Sequence, residues 1–299
     1  MATPCSVLVA GSANLDFVVR APHVPAPGET VLGHAFATFA GGKGANQAVA
    51  CARAGGVQTR MLLGLGCDAF AAPIEASLAR AGVQTLVLRF EREATGLAFI
   101  TVGDNGENAI TVAPGANAAL QEDDLPPLDG VHTLALQLET PLPVVAAWSR
   151  RARQAGVCVM LNAAPARTLD PALLGQVDVL VVNQLELATL AGAAGNLDAQ
   201  LQRLPVPAVV VTLGALGCLA RVPEGRYQLP ALPVTVVDTT AAGDTFCGVL
   251  AASRSRGLDW PSALLEASVA AALACTRRGA QSSIPSRAEV LARLARIRG

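Results

Sequence analysis

Residues 177–190 read VDVLVVNQLELATL, in which an apolar run of strand length (177–182) is followed at once by a helical pattern (185–190). Strand-length apolar runs that alternate with helices are typical of a largely parallel sheet covered by helices. This stretch therefore predicts an α/β architecture.

The same alternation extends outward through most of the chain. Further strands are predicted at 7–10, 60–63, 133–138, 157–161 and 208–212, and further helices at 44–54, 69–81 and 142–154. After Asp238 the pattern is helical, with helices at 242–256, at 261–276 and from Ser286, where Ser286-Arg287-Ala288-Glu289 forms a capping box. We expect a three-layer α/β/α sandwich with a mostly parallel central sheet, and one domain over residues 1–299.

Two segments, 16–39 and 95–112, interrupt this rhythm. Both contain alternating strand-like stretches with polar or glycine punctuation, and no helix follows either of them. Because each is inserted between core elements, we expect a small antiparallel sheet that projects over one edge of the central sheet as a lid. Ordinary surface hairpins are the alternative.

The composition excludes several classes of protein. Only 15% of the 299 residues are charged, 52% are hydrophobic and the net charge is -1, which excludes a disordered chain and a polybasic nucleic-acid binder. The longest uncharged stretch, 204–220, contains two prolines and two glycines, so no membrane span is predicted. The apolar run at 7–10 has no basic region before it and does not resemble a secretory signal, so we expect a cytoplasmic protein.

Cysteine and histidine do not indicate a site. Three histidines lie far apart, so their spacing suggests neither a zinc site nor a Ser-His-Asp triad. The cysteines occur singly without a C-x-x-C motif, and we interpret them as small buried hydrophobic residues. They are Cys5, Cys51, Cys67, Cys158, Cys218, Cys247 and Cys275.

The segment 238–246, DTTAAGDTF, follows an extended run and begins a helix, where backbone N–H groups are unpaired and can bind an anion. The small residues Ala241, Ala242 and Gly243 would let a phosphoryl group approach the backbone, where it is stabilised electrostatically. Asp244 follows this anion hole and is placed to take a proton from an attacking hydroxyl. The alternative role for Asp244 is to complement the helix dipole.

A second glycine-rich helix start is Gly41-Gly42-Lys43-Gly44-Ala45-Asn46, which lacks the spacing of a P-loop. Lys43 is the only lysine among 22 basic residues. Every other basic residue in the chain is Arg, so the smaller ammonium group at position 43 indicates a steric requirement near a ligand. A chance occurrence is the alternative.

Two polar residues, Asn14 and Asp16, follow the first predicted strand, where ligand crevices form. Their spacing in an extended chain puts both side chains on one face, as gripping two sugar hydroxyls requires. An ordinary Asn/Asp turn is the alternative.

A competing motif, 64–69 (GLGCDA), fits the dinucleotide pattern G-x-G-x-x-A. It does not begin the first βαβ unit, and Asp68 would repel a pyrophosphate, so we disfavour an NAD oxidoreductase.

Together, segments 41–46 and 238–244 resemble the paired signatures of PfkB-type carbohydrate kinases, and most closely those of the ribokinase branch. The resemblance covers nearly the whole chain and includes four further motifs: 25–30, 115–120, 137–139 and 278–281. It implies ATP-dependent phosphorylation of the 5-hydroxyl of ribose, with Asp244 as the base and the backbone of Ala241, Ala242 and Gly243 as the anion hole.

The resemblance also implies the binding residues. The sugar positions are Asn14, Asp16, Gly42, Lys43, Gly44, Ala45, Asn46, Glu139 and Asp244. The nucleotide positions are Asn183, Glu186, Thr212, Leu213, Gly214, Ala215, Leu216, Gly217, Gly243 and Ser268, with Glu186 acting on Mg²⁺ through metal-bound water. A K⁺ ion would bind at Asp238, Thr240, Ala274, Arg277, Gly279 and Ser283.

Three positions depart from the family pattern. Ser268 replaces a larger polar group against the adenine, Ala241 often corresponds to Gly, and 192–205 predicts a shortened helix. A homodimer formed through the lid is also implied by the resemblance. The alternatives are a kinase of the same family for deoxyribose, a ketose or a nucleoside such as adenosine, and a non-catalytic sugar-binding regulator.

Overall fold

The computed structural model describes residues 6–298, so Cys5 lies outside the described residues. In this part of the chain nine strands form the larger sheet, in the order β13-β12-β11-β10-β9-β8-β1-β4-β5. They are β1 Ser6–Ala10, β4 Gln58–Gly66, β5 Gln84–Phe90, β8 Val131–Leu136, β9 Cys158–Asn162, β10 Val179–Asn183, β11 Ala208–Thr212, β12 Cys218–Val222 and β13 Gly225–Leu229. Pairing is parallel from β5 to β11, and β12 and β13 add antiparallel strands at one edge. The predicted mostly parallel sheet is confirmed.

Helices cover both faces of this sheet, which makes the predicted three layers. They are α1 Lys43–Val49, α2 Ala71–Arg80, α3 Leu142–Gln154, α4 Pro171–Leu174, α5 Gln184–Ala191, α6 Leu197–Gln202, α7 Ala242–Ser255, α8 Trp260–Ala274 and α9 Arg287–Arg298. The capping box before α9 is present, because Ser286 N donates to Glu289 Oε2 at 2.8 Å and Glu289 N donates to Ser286 Oγ at 3.4 Å. α6 has six residues, which agrees with the predicted shortening. Among the described residues, no helix combines the length and apolarity that crossing a membrane needs.

Alternate residues of the central strands belong to two different cores. Val7 and Val9 of β1 pack with α1, α2, α7, α8 and α9, whereas Leu8 and Ala10 pack with the helices α3 to α6. A strand covered on both faces needs apolar residues at every position, which explains the continuous apolar runs. The predicted burial is wrong for Cys67, which is exposed, while Cys51, Cys218 and Cys247 are buried and Cys158 and Cys275 are half-buried.

The start of α7 lies against α1 because both helices are built from small residues. A Cβ on Gly248 would overlap Gln47 O and come within 2.6 Å of Ala50 Cβ. α1 continues as a π-helical turn, Ala50–Ala54, in which Gly55 N donates to Ala50 O at 2.8 Å. The close approach places the 41–47 segment beside Asp244.

The two interrupting segments contain the strands of a separate four-stranded sheet, in the order β3-β2-β6-β7 within the described chain. These strands are β2 Asn14–Ala21, β3 Ala35–Gly41, β6 Gly96–Gly103 and β7 Asn108–Ala113. The expected antiparallel pairing holds for β2 with β3 and β6 with β7, but it is wrong for β2 with β6, which pair in parallel. The strands at the centre come from different insertions, so no hairpin joins them. The role of this sheet as a lid stays a prediction.

The glycine-rich loop 64–69 is explained by packing. A Cβ on Gly64 would come within 2.6 Å of Ala116 O. The Asp68 carboxylate accepts hydrogen bonds from Thr95 N at 2.7 Å and Thr95 Oγ1 at 2.8 Å. These contacts tie the loop to β6, and a dinucleotide is not needed to account for its sequence.

Candidate active site

Asp244 lies in the first turn of α7, and its carboxylate is buried between two amides. Asn46 Nδ2 donates to Asp244 Oδ2 at 2.9 Å, and Gln47 Nε2 donates to Asp244 Oδ1 at 3.3 Å. Burial raises the pKa of Asp244, while Lys43 and the Asn46 amide oppose the rise. Each carboxylate oxygen accepts one hydrogen bond and has a second lone pair, so the buried carboxylate can still accept a proton from a ligand.

The residues before Asp244 adopt a strained backbone. Ala241 has φ of 58°, in the left-handed region, and is the only non-glycine residue with positive φ in the described chain. The Ala242 N–H donates to Thr239 O at 3.2 Å, so this predicted anion donor is engaged in the structure. At Gly243, apart from its chain neighbours and the backbone of its own helix, no described atom lies within 4 Å of the position that a Cβ would take. The backbone here can therefore be approached closely by a ligand.

Lys43 lies among three carboxylates at the start of α1. Burial lowers its pKa, but the charges of Asp244, Glu139 and Glu186 raise it further, so the net shift is upward. Its backbone N donates to Glu139 Oε2 at 3.1 Å, and Ser12 Oγ donates to the same oxygen at 2.5 Å. The ammonium is charged and stays near the place where Asp244 would act.

For the sugar kinase that the family resemblance implies, we expect Lys43→Arg to lower kcat/KM about tenfold or more. The broader guanidinium keeps the charge but would project into the cavity of about 170 Å³ that Lys43 and Asp244 line, and would take space that a ligand needs. Steady-state kinetics measures the loss, and Arg53→Lys, an exposed exchange outside this cavity, is the matched control. Wild-type kinetics in Lys43→Arg would show that no compact ammonium is required at this position.

Asn14 and Asp16 begin β2, and the structure holds both side chains buried. Asn117 Nδ2 donates to Asn14 Oδ1 at 2.8 Å, and Ala13 N donates to Asn117 Oδ1 at 3.0 Å, which fixes the Asn14 amide. Burial, with repulsion from Glu139 and Asp244, raises the pKa of Asp16 to about 7. Asp16 lines a cavity of about 520 Å³, in which the hydroxyl groups of a sugar could hydrogen-bond to its carboxyl group.

The glycines of the 41–46 segment allow the polar groups to meet. A Cβ on Gly41 would overlap the Asp16 carboxylate, and a Cβ on Gly44 would come within 2.7 Å of Ser12 N and O. Gly42 has φ of 88°, and a Cβ there would lie 2.8 Å from Ala13 Cα and Asn14 N. Ala45 N donates to Ser12 O at 2.9 Å, which joins this turn to the end of β1.

Replacing Gly42 by Ala will destabilise the protein by about 1–3 kcal/mol from backbone strain alone and will also weaken sugar binding. The added Cβ pushes on the backbone that carries Asn14. Thermal melting and calorimetric titration with ribose measure the two effects. Gly28→Ala is the matched control, since Gly28 has φ of 84° and no atom within 4 Å, so only its stability should fall. Equal behaviour of the two variants would contradict the steric argument.

The predicted nucleotide side lies in the same cavity of about 170 Å³, whose lining includes Asn183, Glu186, Thr212, Gly243 and Asp244. Asn183 and Glu186 form a capping box at the start of α5, in which Asn183 N donates to Glu186 Oε2 at 2.7 Å. Burial raises the pKa of Glu186, against the hydrogen bond from Asn183. A buried carboxylate facing a cavity is a fitting group to act on Mg²⁺.

The remaining nucleotide positions lie at the end of β11. Thr212 pairs with Asn183 across β10 and β11, so the loop of Leu213, Gly214, Ala215, Leu216 and Gly217 begins at the edge of the cavity. Ser268 lies on α8, where its Oγ is 3.6 Å from Cys218 Sγ. Its predicted place against an adenine stays a prediction.

The predicted cation positions meet in part. Asp238 Oδ1 accepts from Thr240 N at 2.9 Å, and Asp238 Oδ2 accepts from Gly279 N at 3.0 Å. Burial raises the pKa of Asp238, but these bonds outweigh it and hold the pKa below its ordinary value. Ala274, Arg277 and Ser283 make local bonds, in which Arg277 N donates to Ala274 O at 3.2 Å and Ser283 Oγ donates to Ala280 O at 2.8 Å, while the Arg277 guanidinium pairs with Glu289 of α9. Across residues 6–298, no group of three or more His, Cys, Asp and Glu side chains could hold a metal ion.

Sequence reasoning missed four amides that support the site: Gln47, Asn117, Gln137 and Asn162. Asn117 and Gln137 belong to the motifs 115–120 and 137–139, and Gln47 follows Asn46, but none was assigned a role. Uncharged amides give no charge or spacing signal, so only their position on neighbouring motifs could have indicated them.

Comparison with known proteins gives consistent matches. The model of the pfkB family carbohydrate kinases matches residues 5–287. The ribokinase of Haemophilus influenzae is 35% identical over 298 residues, covering 96% of this chain and 97% of that protein. A deoxyribokinase of Salmonella typhi is 33% identical and covers 94% and 95%. The structure of Arabidopsis thaliana ribokinase complexed with ribose and ATP has a TM-score of 0.89 at 33% identity, covering 97% and 98%. The similarity extends along the whole fold.

Proposed function

The chain belongs to the pfkB family of carbohydrate kinases, and we propose that it transfers the γ-phosphoryl group of ATP to the 5-hydroxyl of D-ribose. The observation that carries this proposal is the buried Asp244 carboxylate, which lines one cavity with Lys43 and Glu186 and is close enough to Asp16 for its charge to raise the pKa of Asp16. The ribokinase relatives and the ribose–ATP complex of the Arabidopsis thaliana protein support the choice of substrates.

Asp244 acts as the general base in this proposal. The sugar hydroxyl donates its proton to the Asp244 carboxylate as its oxygen attacks the γ-phosphorus, and the bond to ADP breaks on the opposite side. Asn46 Oδ1 is buried and has no hydrogen-bond partner among the described residues, so it is free to accept from a sugar hydroxyl. Asn14 and Asp16 would bind further hydroxyls and orient the ring.

The nucleotide side stabilises charge. The backbone at Ala241, Ala242 and Gly243 would receive the negative charge of the phosphoryl group at the positive end of α7, which requires the Ala242 N–H to leave Thr239 O, and the Lys43 ammonium would add a counter-charge. Asn183, Glu186 and the 212–217 loop would bind ATP. Bound Mg²⁺ would neutralise the phosphates, with Glu186 orienting its water ligands. Bound K⁺ at the 238–240 and 274–283 segments would order the anion hole electrostatically.

A second candidate is a kinase of the same family for another sugar or nucleoside. It is favoured by the deoxyribokinase of Salmonella typhi, whose identity to this chain is nearly that of the ribokinase. The Asn14 amide favours a substrate with a 2-hydroxyl. A non-catalytic sugar-binding regulator is disfavoured, because Asp244, Lys43 and Glu186 would have no task in it.

We further propose that the four-stranded sheet closes over the sugar and carries a homodimer interface. Phe36, Phe99, Ile110 and Val112 of this sheet are exposed in the single chain. A second copy would cover such apolar residues. Light scattering tests this proposal: a dimer that Phe99→Glu dissociates supports it, and a monomeric wild type contradicts it.

The experiment that tests the function is ADP release from Mg-ATP with ribose, 2-deoxyribose, fructose and adenosine in parallel, each with and without K⁺. Potassium-stimulated turnover on ribose alone supports the proposed substrate and the cation site. Turnover on another acceptor moves the specificity but keeps Asp244 as the base. The absence of turnover on all four would favour the regulator.

A further inference from the structure

The buried amide of Gln47 forms the centre of a hydrogen-bond chain that ends at the proposed base. Gln137 Nε2 donates to Gln47 Oε1 at 2.7 Å, and Gln47 Nε2 donates to Asp244 Oδ1 at 3.3 Å and to Asn162 Oδ1 at 3.2 Å. Asn162 Nδ2 in turn donates to Val181 O at 3.2 Å. We infer that Gln47 is a positioning residue that holds the Asp244 carboxylate for proton transfer, with Gln137 and Asn162 fixing its orientation. This inference rests on the proposed function.

The direction of the Gln47 amide follows from its neighbours. On one side Gln137 Nε2 needs an acceptor, and on the other side Asp244 Oδ1 and Asn162 Oδ1 need donors. A reversed amide would place an oxygen against two oxygens and an N–H₂ group against another N–H₂ group. Gln47 and Gln137 are each only 1% exposed, so water cannot compensate for such mismatches. The chain therefore permits one orientation.

Gln47 acts through Asp244 and not on a ligand. It is absent from the lining of the cavity that Asp244, Lys43 and Glu186 share, whereas Asn162 borders it. The chain links α7 to the ends of β8 and β9 and, through Asn162, to Val181 in the middle of β10. A side chain fixed by two residues at strand ends can hold one carboxylate oxygen while the other receives the proton.

The hydrogen bond also favours the ionised base. Burial raises the pKa of Asp244, and the donors Asn46 and Gln47 both lower it. The titratable groups that face Asp244 from the surrounding elements are Asp16, Lys43, Glu139, Glu186 and Cys247. These groups remain in place when Gln47 is replaced, so Asp244 is the titratable group that loses a direct hydrogen bond.

The test is Gln47→Leu, which keeps the volume and removes the donor, in the full chain with Mg-ATP and ribose. We expect kcat to fall about 10- to 100-fold, as it does when residues supporting a metal ligand are removed. The KM for ribose should stay near the wild-type value, because Gln47 does not border the site. The acid limb of the kcat profile should move to higher pH, since the base loses a donor to its charged form.

Two further variants make the test decisive. Gln137→Leu removes only the group that orients Gln47, and we expect a smaller change in the same direction, which also covers the case in which Gln47→Leu fails to fold. Thr59→Val is the control for a lost buried hydrogen bond. Thr59 lies at the start of β4, outside the candidate site, and its Oγ1 donates to Val57 O at 3.0 Å. This variant should lower the melting temperature without moving the pH profile.

The outcomes separate this inference from the proposed function. A wild-type protein without turnover on ribose, 2-deoxyribose, fructose or adenosine would overturn the proposed function and this inference with it. A wild type that turns over while Gln47→Leu and Gln137→Leu keep its kcat and acid limb would overturn only the inference. Equal losses in kcat and in ribose affinity, with an unmoved pH profile, would reduce Gln47 to a structural residue.

Discussion

Replacing Asp244 by Asn will lower kcat for sugar phosphorylation by about 10²–10⁴-fold, the usual contribution of a general base. Asn46 and Gln47 donate to different carboxylate oxygens in the wild type, so the single amide oxygen of Asn can accept from only one of them, and its N–H₂ group faces the other donor. The amide cannot take the hydroxyl proton. The loss of a buried charge offsets part of this donor–donor mismatch, so we expect only a small fall in melting temperature.

Calorimetric titration with ribose separates the base from a binding role. We expect Asp244→Asn to retain ribose affinity, since Asn14 and Asp16 remain in place. The exposed Asp123→Asn exchange, outside the site, is the control for loss of a carboxylate. Near-normal turnover by Asp244→Asn would show that Asp244 only complements the dipole of α7, the alternative that the sequence left open.

Replacing Gly243 by Ala will lower kcat by about 10²–10³-fold, as large a loss as that of one anion-hole donor, because the added Cβ keeps the phosphoryl group away from the backbone N–H. Apart from its chain neighbours and the backbone of its own helix, the added Cβ meets no described atom within 4 Å, so it disturbs nothing in the protein itself. It occupies the space at the start of α7 that the phosphoryl group would need. The melting temperature should hold or rise slightly, because Ala favours a helix over Gly.

Ribose titration and ADP-release kinetics together check this second result. Ribose affinity should be unchanged, because the Cβ lies on the nucleotide side of Asp244. Gly175→Ala is the matched control, as Gly175 has φ of -66° and its Cβ would make only ordinary contacts of 3.4 Å or more. A wild-type kcat in Gly243→Ala would contradict the assignment of the Gly243 backbone to the anion hole.

Strands that are buried on both faces were predictable. The runs 7–10, 157–161, 177–182 and 208–212 correspond within a few residues to β1, β9, β10 and β11, because burial on two faces demands apolar residues at each position. β5 and β13 were missed because they form the two edges of the sheet and many of their residues are half-exposed or exposed. An edge strand has no continuous apolar run to reveal it.

The candidate site was predictable only where a residue type has few structural uses. The single lysine, Lys43, and the small residues before Asp244 indicated a ligand from composition and local pattern alone. Positions carried over from the family resemblance, such as Ser268 and the cation-site residues, stay predictions.

The sequence by itself determined the layered α/β fold and the two glycine-rich helix starts, because hydrophobic burial and backbone sterics act over a few neighbouring residues. Tertiary structure alone decided which polar groups meet. The parallel pairing of β2 with β6, and the chain from Gln137 through Gln47 to Asp244, join residues that are 80 to 200 positions apart. Hydrogen bonds of this kind depend on where two distant segments lie after the whole core has packed, and local sequence carries no record of that distance.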